Sequence, residues 1–226
     1  NDILKILEPL VSLKPVVSNK GFYSFDCQSK SEKKDFTLCI TGIGPSNTEI
    51  AVNELAKCGA KSFLRAGTSG SLRKDLKLES VVITSEALRY DGVSDLYTKR
   101  DINPTTDDSI RKAMIQSANS LKIEYIVGKT VTTSSFYAMG GTLKDGKLHY
   151  NGYTPSQNYN PAIFNKFFDL LSSEVATNIE MEAATLLSLC NLFNLKAGVV
   201  CGLSNYIPWT AGEQTAYTYK SLKNAL

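Results

Sequence analysis

Short apolar runs rich in β-branched and small residues recur at 36–41, 62–67, 80–85, 124–132 and 197–203, and each reads as a strand. Between them lie stretches with helical periodicity. Residues 47–58 place Ile50, Val52, Leu55 and Ala56 at helical spacing, 108–121 open on Asp107 and Asp108, and 182–192 carry EAATLLSLCNL. The start of the chain, ILKILEPL, is also helix-like. Strands alternating with helices predict an α/β fold: a single domain over 1–226 with a mainly parallel or mixed central sheet flanked by helices. In such sheets ligand groups gather where strands end, which singles out Arg65, the run from Thr132 to Tyr137, and Ser204 to Tyr206. The polar stretch 144–160, rich in Gly, Asn and Tyr, reads as a long loop or insertion, and no repeat or low-complexity tract is visible.

Composition narrows the function classes. A chain of 226 residues buries a sizeable core, and a net charge of +3 with interspersed signs gives no stripe for nucleic acid. With no long apolar span and no signal-like start, the expectation is a cytoplasmic protein with no membrane partner. Cys27, Cys39, Cys58, Cys190 and Cys201 are scattered, mostly in apolar surroundings, and read as reduced buried thiols rather than a disulfide framework or metal pair. His149 is the one histidine and is expected in an exposed loop. A multi-histidine metal site and a Ser-His-Asp mechanism are therefore not expected.

Chemistry concentrates in three segments. FLRAGTSGSL reads as a strand delivering Arg65 to a small-residue turn, where Gly67, Thr68, Ser69 and backbone N–H groups surround an anion. The alternative is a plain turn. In NIEMEAATLLSLC, Glu180 and Glu182 bracket Met181 ahead of an apolar helix; they either cap that helix or, for Glu182, accept from sugar hydroxyls while Met181 touches a flat ligand. Phe136 and Tyr137 read as a stacking wall or as core.

Together with TGIGPSNTEIAVNEL, VVITSEALRYDGVS, SSFY and LKAGVVCGLSN, in that family's order and spacing, these segments resemble the nucleoside phosphorylases of the uridine phosphorylase and hexameric purine nucleoside phosphorylase type. The resemblance implies phosphate-dependent cleavage of an N-glycosidic bond, giving free base and ribose 1-phosphate. It implies no cofactor, phosphate being a co-substrate, and a homo-oligomer built on a dimer whose sites are completed across the interface. Arg65, Gly67 and Thr68 match phosphate-binding positions, and Lys20 stands where the family has an arginine reaching phosphate across the interface. Met181 and Glu182 match the ribose contacts, Phe136 with Tyr137 the aromatic at base and sugar, and Glu180 the first family glutamate.

Departures bear on the substrate. The family's glycine-aspartate-proline-x-arginine loop would precede Asn1, so the resemblance implies a short missing N-terminal segment or an impaired phosphate site. The Gln and Arg that read a pyrimidine edge after the Phe-Tyr pair are replaced by AMGGTLKDGK. Asn205 stands where purine enzymes carry an Asp that protonates the base; it donates a hydrogen bond but delivers no proton, or it caps a turn. Trp209 reads as a loop anchor or as a lid. The closest branch is the uridine type. A 6-oxopurine phosphorylase, a water-using nucleosidase and a noncatalytic nucleoside-binding member are the alternatives.

Overall fold

The computed structural model describes residues 2–150, 155, 159–173, 175–210 and 219–226. A short helix α1 (Asp2–Leu7) leads into an antiparallel sheet of β1 (Val11–Asn19), β2 (Phe22–Ser29) and β3 (Asp35–Ile40). Lys20 and Gly21, both at positive φ, form the two-residue turn that joins β1 to β2, a turn whose twist suits a hairpin. Leu7, Val11 and Cys27 are buried beneath this sheet.

Helix α2 (Pro45–Lys57) starts on a proline whose missing N–H costs nothing in the first turn. After it come β4 (Ser62–Ser71), β5 (Val81–Tyr90), a 3-10 turn at Ser94–Leu96 and α3 (Asp108–Leu121). Asp107 caps α3 by accepting from the N–H groups of Ser109 at 2.9 Å and Ile110 at 3.1 Å. The chain continues through β6 (Tyr125–Thr133), the hairpin β7 (Thr142–Lys144) and β8 (Lys147–His149), α4 (Phe164–Ser172) and β9 (Asn178–Glu180). It ends with α5 (Ala183–Leu192), β10 (Lys196–Tyr206), β11 (Trp209–Thr210) and α6 (Tyr219–Ala225).

The central sheet is mixed, as expected, and closes on itself in the order β10-β4-β9-β6-β5. β10 is the closing strand: it runs parallel to β4 from Lys196↔Ser62 onward and antiparallel to β5 through Val200↔Ile83. The three-residue β9 is wedged between β6 and β4, which sets Glu180 opposite Thr132 and Ile179 opposite Gly70. Helix α5 is buried from Ala183 to Cys190 and apolar around most of its surface, as a helix enclosed by other elements must be. It packs with Val52, Ala87, Val199 and Cys201 into one core cluster; a second gathers Val131, Met139, Phe167, Ile179 and Trp209.

Two sequence expectations change. The stretch 144–160 opens as a β-hairpin, and His149 is a half-buried strand residue paired with Thr142, not an exposed loop histidine. The rest of that stretch at 151–154 and 156–158 lies outside the described residues. Of the thiols, Cys27, Cys190 and Cys201 are buried, but Cys39 is half-buried and Cys58 exposed at the end of α2. Among the described residues no helix is long and apolar enough to cross a membrane.

Close backbone packing explains Gly202, where a Cβ would lie 1.9 Å from the carbonyl oxygen of Ser221 in α6. No rotamer change relieves a clash with backbone, so Gly202→Ala is expected to lower stability by about 2–3 kcal/mol. Urea unfolding measures it, and an unchanged midpoint contradicts this packing.

Candidate functional site

β4 carries the site because side chains alternate along it, so Arg65, Gly67 and Ser69 share one face. The Arg65 guanidinium folds forward over Gly67: a Cβ there would sit 2.6 Å from Nη1. Gly67 and Gly70 are therefore not turn glycines. β4 runs extended through Ser71, and these positions lack side chains because Arg65 fills the space at one and Ile207 at the other. The expected small-residue turn is thus corrected to strand.

Arg65 lies at the centre of a buried charge cluster. Its Nη2 donates to Glu182 Oε2 and stands 3.1 Å from Glu180 Oε2, while Nη1 donates to Cys201 Sγ at 3.0 Å. Burial favours a neutral guanidinium, yet the Cys201 sulfur, Glu180 and Glu182 outweigh it and hold Arg65 protonated. Burial also pushes the Glu180 carboxyl above its usual range, against the pull of Arg65. The Cys201 thiol is driven to about 12 by burial, so at neutral pH it is an uncharged acceptor for the guanidinium.

The two glutamates have different work. Glu180, the last residue of β9, accepts from Thr132 Oγ1 at 2.6 Å, from the N–H of Glu182 at 2.8 Å and from the N–H of Ala183 at 3.0 Å to each oxygen. It satisfies orphan donors at the positive end of α5, so the capping interpretation holds for Glu180. Glu182 occupies the N-cap position yet its side chain caps nothing there. It reaches across to Arg65 and, through Oε1, to the N–H of Gly44 at 2.6 Å, at the start of α2. One carboxylate is locked into the scaffold; the other is held by a cation and one N–H, and is 10% exposed.

The other expected residues fall around this cluster to varying degrees. Thr68 is half-buried beside Gly202 of β10, and Met181 is half-buried between the two glutamates. Phe136 and Tyr137 are not core: they are 53% and 50% exposed and meet edge to face at 5.3 Å. Trp209 is fully buried, with Phe136 against it at 5.5 Å, so it is an anchor beneath the aromatic pair and not a lid. Asn205 sits half-buried opposite Gly70 where β10 bulges, its Nδ2 donating to the Tyr206 carbonyl at 3.2 Å; it caps no helix. Lys20 is exposed at the hairpin tip, and among the described residues no hydrogen bond or ion pair joins it to Arg65.

Sequence reasoning passed over Gly44, Thr132 and Cys201 as individual contributors. The Gly-Ile-Gly-Pro run signals a helix start, and Thr132 ends a predicted strand, so both carried a local signal. Cys201 carried none, because a thiol in an apolar run looks like packing.

Residues 14–225 match the family described as the phosphorylase superfamily. The uridine phosphorylase of Thermococcus kodakarensis is 37% identical over 167 residues, 74% of this chain and 56% of that protein. That of Salmonella typhimurium is 31% identical over 195 residues, 84% of this chain and 71% of that protein. The guanosine phosphorylase of Halorubrum lacusprofundi is 30% identical over 180 residues, 80% of this chain and 64% of that protein. The chain thus spans between about half and three quarters of the length of these relatives.

Removing Arg65 leaves Glu180 and Glu182 buried without their cation. Arg65→Met is expected to cost about 3–5 kcal/mol at pH 8, as for other broken buried pairs. Without the guanidinium the Glu180 carboxyl rises further above its unfolded pKa near 4.3, and a raised carboxyl withdraws stability as pH climbs above that unfolded value. The gap between Arg65→Met and the parent should therefore narrow when urea unfolding is repeated at pH 5. An equal gap at both pH values contradicts the charge assignment.

Proposed function

Because the chain belongs to the phosphorylase superfamily, we propose that it cleaves the N-glycosidic bond of a nucleoside with phosphate, releasing free base and ribose 1-phosphate, with uridine as the leading substrate. The observation that carries this reading is the buried Arg65–Glu182 pair, which joins β4 to the start of α5. A cation suited to an oxyanion and a carboxylate suited to hydroxyls lie within one ion-pair distance of each other. Several of the relatives are uridine phosphorylases.

The chemistry follows from charge. As the base departs, positive charge develops at the anomeric carbon, and a phosphate held beneath the ring both stabilises that charge and attacks it. Arg65 binds the phosphate with Thr68, and in doing so gives up Glu182. Glu182 then accepts from the ribose hydroxyls, while Glu180 keeps its scaffold bonds and holds the first turn of α5 in place. The exchange is inexpensive because the guanidinium trades one oxyanion for another and the carboxylate trades N–H donors for O–H donors. Met181 and Phe136 flank sugar and base, Tyr137 shields the outer edge of Phe136, and Asn205 offers an amide to the base.

Lys20 supports the reading only if it comes from a second copy of the chain, which is why a homo-oligomer with a dimeric unit is part of the proposal. The exposed hairpin that carries it suits such a reach. A second reading, a phosphorylase of purine nucleosides, is favoured by the likeness to a guanosine phosphorylase; the amide of Asn205, which donates but delivers no proton, then suits a 6-oxopurine over an adenine.

The deciding experiment incubates uridine, thymidine, inosine, guanosine and adenosine with and without phosphate and follows base release by ultraviolet absorbance. Phosphate-dependent release, greatest with uridine, is expected; release without phosphate points to a hydrolase, and binding without turnover to a noncatalytic member. With the best substrate, Glu182→Gln should depress turnover of the riboside more than of its 2′-deoxy analogue. Equal losses remove the 2′-hydroxyl from the contact. Arg65→Lys keeps the charge but loses the fork, and should raise KM for phosphate by about tenfold or more while KM for nucleoside changes little.

A further inference from the structure

Beside the Arg65 cluster, four polar side chains on four neighbouring strands form one continuous hydrogen-bonded chain. The hydroxyl oxygens of Thr84 on β5 and Thr130 on β6 lie 2.7 Å apart. Thr130 donates to Oδ1 of Asn178 on β9 at 2.8 Å, and Asn178 Nδ2 donates to Oγ of Ser69 on β4 at 2.8 Å. Thr84, Thr130 and Asn178 are wholly buried, and Ser69 is 6% exposed.

This chain has a direction. Thr130 spends its hydrogen on Asn178, so Thr84 is the donor between the two threonines. At the other end the amide fills an acceptor position on Ser69, and the Ser69 hydrogen finds no acceptor among the described residues. The chain holds five hydrogens and three bonds, so in either direction two are left over: one on the Asn178 amide and one on a terminal hydroxyl. Reversing it would strand the hydroxyl hydrogen on Thr84, where no solvent or ligand reaches and the unmet donor carries its full desolvation penalty. The observed direction delivers it to the end of the chain that lies on β4.

Ser69 is well placed to use it. It lies two residues beyond Gly67 on the face that Arg65 shares, about 6.6 Å further along the strand. The Arg65 guanidinium is already folded over Gly67. An oxygen-rich group seated between them can accept from both, with bonds near 2.8 Å at either end.

We propose that Asn178 is a positioning residue: it sets the direction of the Ser69 hydroxyl so that its hydrogen meets an acceptor oxygen of the substrate held beside Arg65. This rests on the phosphorolysis reading of the site. The acceptor is an oxygen of phosphate or of the nucleoside, and the two are told apart by which affinity changes.

The test uses the full chain, with inorganic phosphate and uridine titrated separately by calorimetry and steady-state KM measured for each. Ser69→Ala should weaken one of the two about tenfold, with kcat within about threefold of the parent, and Ser69→Thr should restore it. Asn178→Leu, similar in size but unable to donate, should give the same loss. The double variant should be no worse than Ser69→Ala by more than about twofold, because both changes remove one hydrogen bond. Parent affinities in Ser69→Ala, or losses that multiply in the double variant, overturn the proposal.

Asn178→Asp keeps the test open should the leucine variant not fold. Protonated, this Asp donates to Ser69 as the amide does; ionised, it claims the Ser69 hydrogen for itself. The ratio of its KM to that of the parent should rise with pH, and a ratio flat at one across the range overturns the proposal. A parent that binds phosphate and uridine but turns over neither overturns the phosphorolysis reading alone, and the calorimetric comparison still decides the role of Asn178.

Discussion

A guanidinium buried against a central strand must be neutralised, and much of the surrounding architecture answers that requirement. Arg65 is satisfied by Glu182, Glu180 and Cys201, which come from the start of α5, from β9 and from β10. Those carboxylates are anchored in turn by the N-terminal N–H groups of α5, by Thr132 of β6 and by Gly44 at the start of α2. Two helix N-termini and four strands of the closed sheet therefore converge on one charge. In the proposed reaction a phosphate takes the place of Glu182 on this guanidinium.

The division between the glutamates follows from the same constraint. Glu180 has every oxygen committed to scaffold donors, so moving it would expose orphan N–H groups at the start of α5. Among the described residues Glu182 is held by Arg65 and by the N–H of Gly44 alone. Scaffold bonds are thus concentrated in one carboxylate, and the other, two residues apart in sequence, is the one the proposed reaction uses. The polar chain through Thr84, Thr130, Asn178 and Ser69 extends this principle, since buried groups committed to one another fix the direction of the hydroxyl at the end of the chain.

Strands with unbroken apolar runs were legible in the chain. Those corresponding to β3, β4, β5, β6 and β10 were foreseen within a few residues at their starts, and α3 and α5 to within one residue. β1 and β2 were missed because VSLKPVVSN and FYSFDCQS interleave polar residues on a thinly covered sheet, which leaves no apolar run to see. β9 was missed because three residues carry no periodicity; their pairing with β6 and β4 alone makes them a strand. The small-residue segment after Arg65 was mistaken for a turn because glycine signals turns locally. Here its absent side chains serve tertiary packing.

What the sequence by itself determined is the inventory: which segments alternate as strand and helix, the acidic start of α3, and the motif set that carries Arg65, Glu180, Met181 and Glu182. These depend on neighbours within a few positions, where periodicity and capping operate. What only the tertiary structure decided is who meets whom. Arg65 and Glu182 are 117 residues apart, Gly44 and Glu182 138, and Ser69 and Asn178 109. Pairing of β10 and β9 against β4 closes those distances, and that pairing, through side-chain fit and shared burial, locked Glu180 into the scaffold and set Glu182 across from Arg65 and Gly44.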